Sequence, residues 1–150
     1  MKKISPPEKV AEALSAVADG RVRMLDGSAV VTSSDRKKEY AITWKGDEYT
    51  SNDSATYWQG YAGYPVIAVL MLQGRLSFTK DTAVWFSGVN WTELNAKHKR
   101  NYAAALAEVM ESVKTKGGNV EAIAAELNAL YERLKDLPIT VKRGSAKPRK

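Results

Sequence analysis

The stretch DEYTSNDSATYWQGYAGYPVIAVLML, from Asp47 to Leu72, decides how this sequence folds. A short strand, EYT, leads into a polar loop, and the loop runs without a linker into the longest apolar segment of the chain, which begins at Pro65. Proline suits the first turn of a helix and glycine commonly ends one, so Pro65 and Gly74 predict a short buried helix. The β-branched residues of the segment would also fit a strand.

The loop is unusually aromatic for a polar segment. Tyr57, Trp58, Tyr61 and Tyr64 fall close together in the sequence. Exposed rings could stack on bases or on sugar faces, whereas rings that fold back over a sheet would form a small core. We expect Trp58 to pack on the sheet and at least one of the tyrosines to take part in binding.

The residues before this stretch predict one helix and an antiparallel meander. Ser5 can cap the helix, Pro6 and Glu8 suit its first turn, and Gly20 ends it. Between residues 21 and 51 the hydrophobic pattern changes to that of short strands, about four in all. Asp26-Gly27 is a strong signal for a tight hairpin turn between the first two strands.

The last third of the sequence predicts two antiparallel helices joined by a short connection, an αα-hairpin. The first is a single helix that begins near Asn90 or Thr92 and ends at Gly117-Gly118. Asn119 caps the second helix, whose apolar residues form a heptad seam at spacings of 3, 4, 3, 4 and 3: Val120, Ile123, Leu127, Leu130, Leu134 and Leu137. The seam packs either within the monomer or onto a second copy.

The net charge of +6 is concentrated near the C-terminus. All acidic residues lie at or before Asp136, and the basic residues beyond it are Lys142, Arg143, Lys147, Arg149 and Lys150. A segment this basic, with glycine and proline, cannot bury a core, so residues 138–150 are expected to form a disordered basic tail. The tail could neutralise the phosphates of a nucleic acid, or it could be a solvated terminus that aids solubility.

These patterns together predict an α+β fold. We expect one globular domain, residues 1–137, with the basic tail after it. Its elements in order are an N-terminal helix, an antiparallel β-meander of about four short strands, a short buried helix, and the αα-hairpin over residues 91–137.

The composition excludes several classes of function. The chain has no cysteine, so disulfides and thiolate metal sites are excluded. The sole histidine, His98, lies on an apolar helical stripe, and glycine-rich phosphate-binding motifs are missing. We therefore predict no catalytic residue, no metal and no cofactor. A carboxylate enzyme acting on a carbohydrate through Asp47, Glu48 and Asp53 is a minor alternative. No apolar run reaches the ~20 residues that span a bilayer, and a cytoplasmic location is expected.

Four segments between residues 31 and 72 have the spacing of a known zinc-binding frame: Glu39-Tyr40-Ala41-Ile42, Gly46-Asp47-Glu48-Tyr49-Thr50, Tyr57-Trp58 and Val66-Ile67-Ala68-Val69-Leu70. This region resembles a SWIM domain, in which a strand hairpin carries a C-x-C pair and a C-x-H pair opens a helix. On that frame the first pair falls at Ser51 and Asp53, and the second pair falls at Gly63 and Pro65. All four family ligands are therefore replaced.

The resemblance implies a zinc-free derivative in which aromatic packing and Pro65 take over from the metal. It implies binding to DNA or to a protein partner, and no catalysis. We therefore predict a small nucleic-acid-binding protein, whose contacts would come from Lys97, Lys99, Arg100, Lys142, Arg143, Lys147, Arg149, Lys150, Tyr57, Trp58, Tyr61 and Tyr64. The alternative is a protein-interaction or homodimerisation module built on the C-terminal helices.

Overall fold

The computed structural model describes residues 5–144, which form an α+β fold as the sequence predicts. The helices are α1 (Glu8–Ala18), α2 (Tyr64–Leu72), α3 (Lys80–Ala83), α4 (Trp91–Lys97), α5 (Tyr102–Thr115) and α6 (Val120–Asp136). The strands are β1 (Val22–Met24), β2 (Ser28–Thr32), β3 (Glu39–Lys45), β4 (Glu48–Ser51) and β5 (Thr140–Arg143). A π-helical turn, Ala55–Gln59, lies in the aromatic loop, and a 3-10 turn, Val84–Phe86, follows α3.

One sheet contains all five strands in the order β1-β2-β3-β4-β5. The first four strands pair antiparallel, which confirms the predicted meander. Gly27 and Gly46 have φ angles of 74° and 61°, a left-handed conformation that glycine adopts without a steric penalty in such turns. Ala29, Val31, Ile42 and Tyr49 point to the same face of the sheet, where they are buried.

Helix α2 packs on this face, and α1 packs against α2 and extends the core. Residues Pro65 to Met71 are all buried, because α2 is apolar on every side. The predicted short buried helix is therefore confirmed. Helix α1 begins differently from the prediction, since Pro7 occupies its N-cap and no side chain caps it. Instead of capping, the Ser5 hydroxyl donates a 2.7 Å hydrogen bond to the carbonyl of Ala62 and ties the start of the chain to the loop.

The predicted single helix before Gly117 is wrong, because the chain turns between α4 and α5. Lys99 and Arg100 have left-handed φ angles of 54° and 67°, which a helix does not accommodate. Asn101 then caps α5, and its side-chain oxygen accepts a hydrogen bond from the backbone N–H of Ala104 at 3.1 Å. The apolar stripe that suggested one helix is therefore divided between two.

The heptad seam of α6 packs within the monomer. Ile123, Leu127, Leu130 and Leu134 are each at most 8% exposed in the single chain. The Tyr131 hydroxyl donates a 3.0 Å hydrogen bond to the carbonyl of Ser5, so α6 also contacts the segment before α1. Of the two arrangements that the sequence left open for the seam, the structure shows the intramolecular one.

The expected disorder of residues 138–150 is wrong for the beginning of that segment. Thr140–Arg143 form β5, which pairs parallel with β4 at the edge of the sheet. Ile139 anchors the strand, since its side chain is 3% exposed. Lys147, Arg149 and Lys150 lie outside the described residues. Among residues 5–144, no helix has the length and apolar character needed to cross a membrane.

Candidate nucleic-acid interface

The aromatic loop is built around a buried polar cluster formed by Ser51, Asp53, Thr56 and Gly63. The Ser51 hydroxyl donates to one carboxylate oxygen of Asp53, and the other oxygen accepts the backbone N–H of Thr56 at 3.1 Å. The Thr56 hydroxyl in turn accepts the backbone N–H of Gly63 at 3.1 Å. Ser51, Asp53 and Thr56 are at most 4% exposed, so these bonds form in a low-dielectric interior where they hold the loop firmly.

Three of the four positions at which the resemblance to a SWIM domain would put zinc ligands lie in this cluster: Ser51, Asp53 and Gly63. Pro65, the fourth, is buried in the first turn of α2. The cluster does not fit a metal, because both carboxylate oxygens of Asp53 already accept hydrogen bonds. Moreover, across residues 5–144 no three His, Cys, Asp or Glu side chains come together in a way that could hold a metal ion.

Tyr57 and Trp58 lie against each other on the outer side of the loop, and Tyr57 contacts the guanidinium of Arg143. The ring centroids of Tyr57 and Trp58 are 4.6 Å apart in an edge-to-face arrangement. The Arg143 Cζ lies 4.8 Å from the centroid of the Tyr57 ring, which is cation–π distance. Trp58 is 49% exposed, so the expectation that it packs on the sheet is wrong. We call Tyr57, Trp58 and Arg143 the aromatic patch.

Tyr64 packs against the core, and Tyr61 is half-buried. The rings of Tyr64 and Tyr40 meet edge to face with centroids 6.3 Å apart. Burial raises the pKa of the Tyr64 hydroxyl well above its ordinary value, and the neighbouring Tyr40 adds to that effect. Burial also raises the pKa of Tyr61. The loop therefore divides its four aromatic side chains between the surface and the interior.

The basic residues predicted to contact nucleic acid lie in different environments. Lys97 is paired with Glu108, with 2.7 Å between the ammonium and the carboxylate, and His98 approaches the same carboxylate at 3.1 Å. The hydrogen bond from Lys97 lowers the pKa of Glu108. Lys99 and Arg100 are exposed in the turn between α4 and α5.

In β5, neighbouring basic residues point to opposite faces of the sheet. Lys142 pairs with Glu48 at 3.1 Å, whereas Arg143 covers Tyr57. Strand β5 thus brings one residue of the predicted basic tail into direct contact with the predicted aromatic loop. Sequence reasoning missed this contact, since nothing in residues 138–150 except Ile139 and the β-branched Thr140 and Val141 suggests a strand.

Sequence reasoning also missed a polar cleft behind the loop, where Lys9 and Glu12 of α1 face Trp91 and Asn95 of α4. The side chains of Lys9 and Glu12 are 8% and 4% exposed and lie 3.1 Å apart. The sequence of α1, EKVAEALSAVA, could have indicated the burial of these two residues, because its charged residues are surrounded by small apolar ones. A helix with so many alanines approaches its neighbours closely on all sides, so its charged residues are buried as well.

Fold and surface define an α+β domain that presents an aromatic and basic patch at one edge of its sheet. The family described as "Uncharacterised conserved protein UCP014422" matches residues 2–140, and the chain belongs to this family. The match extends from before α1 to the first residue of β5. No curated protein matches the chain, and no solved structure matches it.

Proposed function

We propose that this protein is a small, non-enzymatic nucleic-acid-binding protein that uses the aromatic patch to stack on bases. The observation that carries the proposal is the position of β5, which places the Arg143 guanidinium 4.8 Å over the ring of Tyr57. The basic segment and the aromatic loop, separate in sequence, therefore form a single surface.

The chemistry of the aromatic patch suits unpaired bases. The exposed ring of Trp58 can stack on a base without regard to its identity, and each such contact contributes about 1–3 kcal/mol. A planar guanidinium that already lies against an aromatic ring can donate hydrogen bonds to phosphate while remaining stacked. These groups favour single-stranded DNA or RNA over a regular duplex, whose bases are already stacked.

The proposal includes the zinc-free SWIM-like frame. The buried cluster around Asp53 occupies the place that zinc would have in that frame, and it holds together the end of β4 and the start of α2. A rigid loop presents Tyr57 and Trp58 at little entropic cost on binding. The cytoplasmic location expected from the sequence belongs to the same proposal.

Fluorescence anisotropy with labelled oligothymidylate, oligouridylate and a matched duplex tests the proposal. We expect the wild type to bind the single strands with a steep salt dependence. Trp58→Ala should weaken binding about tenfold or more, since it removes one stacking platform. A chain that ends at Gly144 retains β5 but lacks Lys147, Arg149 and Lys150, so its salt slope should fall by up to about 2.

Two matched variants control for unspecific effects. Leu72→Ala removes another exposed apolar side chain, and the double variant Lys114→Ala, Lys116→Ala removes charge from the far end of α5. Both should bind like the wild type. Absence of binding at low salt, or an equal loss of affinity in the controls and in Trp58→Ala, would contradict the proposal.

Contact with a protein partner or a second copy through the C-terminal helices is the second candidate function. It has less support, because the apolar seam of α6 is buried against the rest of its own chain. Sedimentation of the wild type over a range of concentrations would show whether a larger species forms.

A further inference from the structure

A polar cleft lies between α1, β3, α4 and the inner side of the aromatic loop. Its volume is about 150 Å³, which compares with cavities that hold a molecule of benzene size. The residues that give it its chemistry are Lys9, Glu12, Tyr40, Asp53, Trp91 and Asn95. The cleft is separate from the aromatic patch, because neither Tyr57 nor Trp58 lines it.

Two buried polar atoms at this cleft, Nε1 of Trp91 and Oδ1 of Asn95, lack a hydrogen-bond partner among residues 5–144. Oε2 of Glu12, also buried there, is ion-paired with the ammonium of Lys9 at 3.1 Å. Glu12 and Trp91 are each 3% exposed, so neither is solvated by bulk water. Buried polar groups are nearly always satisfied in folded proteins, and an exception commonly marks a place where a water, an ion or a ligand binds. Of the two unpartnered atoms, Oδ1 of Asn95 is an acceptor and Nε1 of Trp91 is a donor.

The charges at the cleft favour a cation. The ammonium of Lys9 lies 3.1 Å from Oε2 of Glu12 and 4.1 Å above the ring of Tyr102, so its charge is balanced from two sides. The carboxylate of Asp53 adds a further negative charge to the lining. With one ammonium and two carboxylates, the cleft carries an excess negative charge. Trp91 and Tyr40 add π-systems, whose faces also attract cations.

We propose that this cleft binds a small protonated amine that also carries a hydrogen-bond acceptor, such as a hydroxyl or carbonyl group. The ammonium would donate to Oε2 of Glu12 and to Oδ1 of Asn95, and the acceptor would take the N–H of Trp91. This arrangement satisfies both unpartnered atoms at once, and the amine shares the carboxylate of Glu12 with Lys9. The site is independent of the aromatic patch, and its ligand is a free small molecule because the volume admits only a few heavy atoms.

Nuclear magnetic resonance of the full chain provides a direct readout, since the indole N–H of Trp91 has its own signal. Trp91→Phe assigns that signal by removing it. The probes are ethanolamine, which has the proposed pair of groups, and two analogues of similar size, neutral ethylene glycol and anionic glycolate. We expect ethanolamine to shift the Trp91 signal saturably in the millimolar range and the analogues to bind at least about tenfold more weakly.

Variants identify the groups that recognise the amine. Glu12→Gln should weaken ethanolamine binding about tenfold or more, because it removes the charged acceptor. Asn95→Ala changes a half-buried side chain and should weaken binding as well; it serves as the main test if Glu12→Gln does not fold. Glu8→Gln on the same helix removes an identical charge outside the cleft and should leave binding unchanged.

Three outcomes would overturn the proposal. Absence of a saturable shift with any probe would mean that the cleft holds ordered water only. Equal affinity for ethanolamine and ethylene glycol would mean that the cleft does not select a cation. Unchanged binding in both Glu12→Gln and Asn95→Ala would place the amine elsewhere on the protein.

Discussion

Gly63 and Asp53 lie so close together that only glycine fits at residue 63. A Cβ atom built on Gly63 would lie 2.0 Å from Oδ2 of Asp53 and 2.7 Å from its Cγ. The φ angle of Gly63 is −71°, so its backbone conformation is open to any residue. The restriction therefore comes from the neighbouring carboxylate and not from backbone strain.

Gly63→Ala should lower the free energy of unfolding by about 2–4 kcal/mol, because the methyl group displaces Asp53 from its buried hydrogen bonds. Urea unfolding followed by circular dichroism measures the loss. The double variant Asp53→Ala, Gly63→Ala removes the clash, so its loss should be smaller than the sum of the two single losses. If the free energy of unfolding of Gly63→Ala lies within about 0.5 kcal/mol of the wild-type value, the loop accommodates the methyl group and the prediction is wrong.

At the scale of the element, the short strand β5 forms one edge of the sheet. Hydrogen bonds hold its backbone next to β4 at both ends. The N–H of Thr140 donates to the carbonyl of Asp47 at 2.9 Å, and the N–H of Gly144 donates to the carbonyl of Ser51 at 2.8 Å. The buried side chain of Ile139 precedes it. The residues after Leu137 are therefore part of the fold up to Gly144.

A chain that ends at Leu137 should be less stable than the wild type by about 2–4 kcal/mol, since it loses the burial of Ile139 and the edge hydrogen bonds. A chain that ends at Gly144 should match the wild type. Thermal and urea unfolding of the two truncated chains test this difference directly. Equal stability of the chain ending at Leu137 and the wild type would mean that β5 contributes nothing to folding.

The turn between α4 and α5 shows why element boundaries were only partly predictable. Neither glycine nor proline marks this turn, and Lys99 and Arg100 adopt left-handed conformations that sequence statistics disfavour. One local signal was present, because Asn101 is a good N-cap residue three positions before Ala104. The apolar stripe continues past the turn. A prediction based on hydrophobic periodicity therefore gives one helix, even though Asn101 could start a second one.

At the scale of the whole molecule, the ionisation of buried groups makes stability depend on pH in the alkaline range. Burial raises the pKa of Tyr40 to about 12, and the negative charges of Asp53, Asp35 and Glu12 add to that effect. The pKa of Tyr64 is raised by burial as well. Burial, the largest influence on Lys9, would lower its pKa, but the charge of Glu12, the nearby Tyr102 and the hydrogen bond to Glu12 together outweigh burial, and the net shift of the pKa is upward.

The folded protein should lose stability as the pH rises from about 10 towards 12, because it keeps protons that the unfolded chain releases. Each proton that the folded state keeps and the unfolded chain releases lowers the free energy of unfolding by about 1.4 kcal/mol per pH unit. Urea unfolding between about pH 9 and pH 11 measures the slope. Tyr40→Phe should make it shallower, and an unchanged slope in this variant would show that Tyr40 does not contribute.

The sequence predicted those parts of the molecule that depend on local patterns. The meander followed from alternating residues and the Asp26-Gly27 turn, and α2 followed from an uninterrupted apolar segment. The contacts that assemble the candidate sites were not predictable, since they join distant segments. Arg143 reaches Tyr57 only through the pairing of β4 with β5, and Glu12 faces Trp91 only because α1 and α4 both line the cleft.

The parallel pairing of β4 with β5 has a consequence for the order of folding. The paired residues Tyr49 and Val141 are separated by most of the chain, and closing a loop of about 90 residues carries a large entropic cost. Contacts of such high sequence separation are expected to form late, after more local contacts. We therefore expect the Arg143–Tyr57 contact to form late in folding, so a nascent or partly unfolded chain would lack the complete aromatic patch.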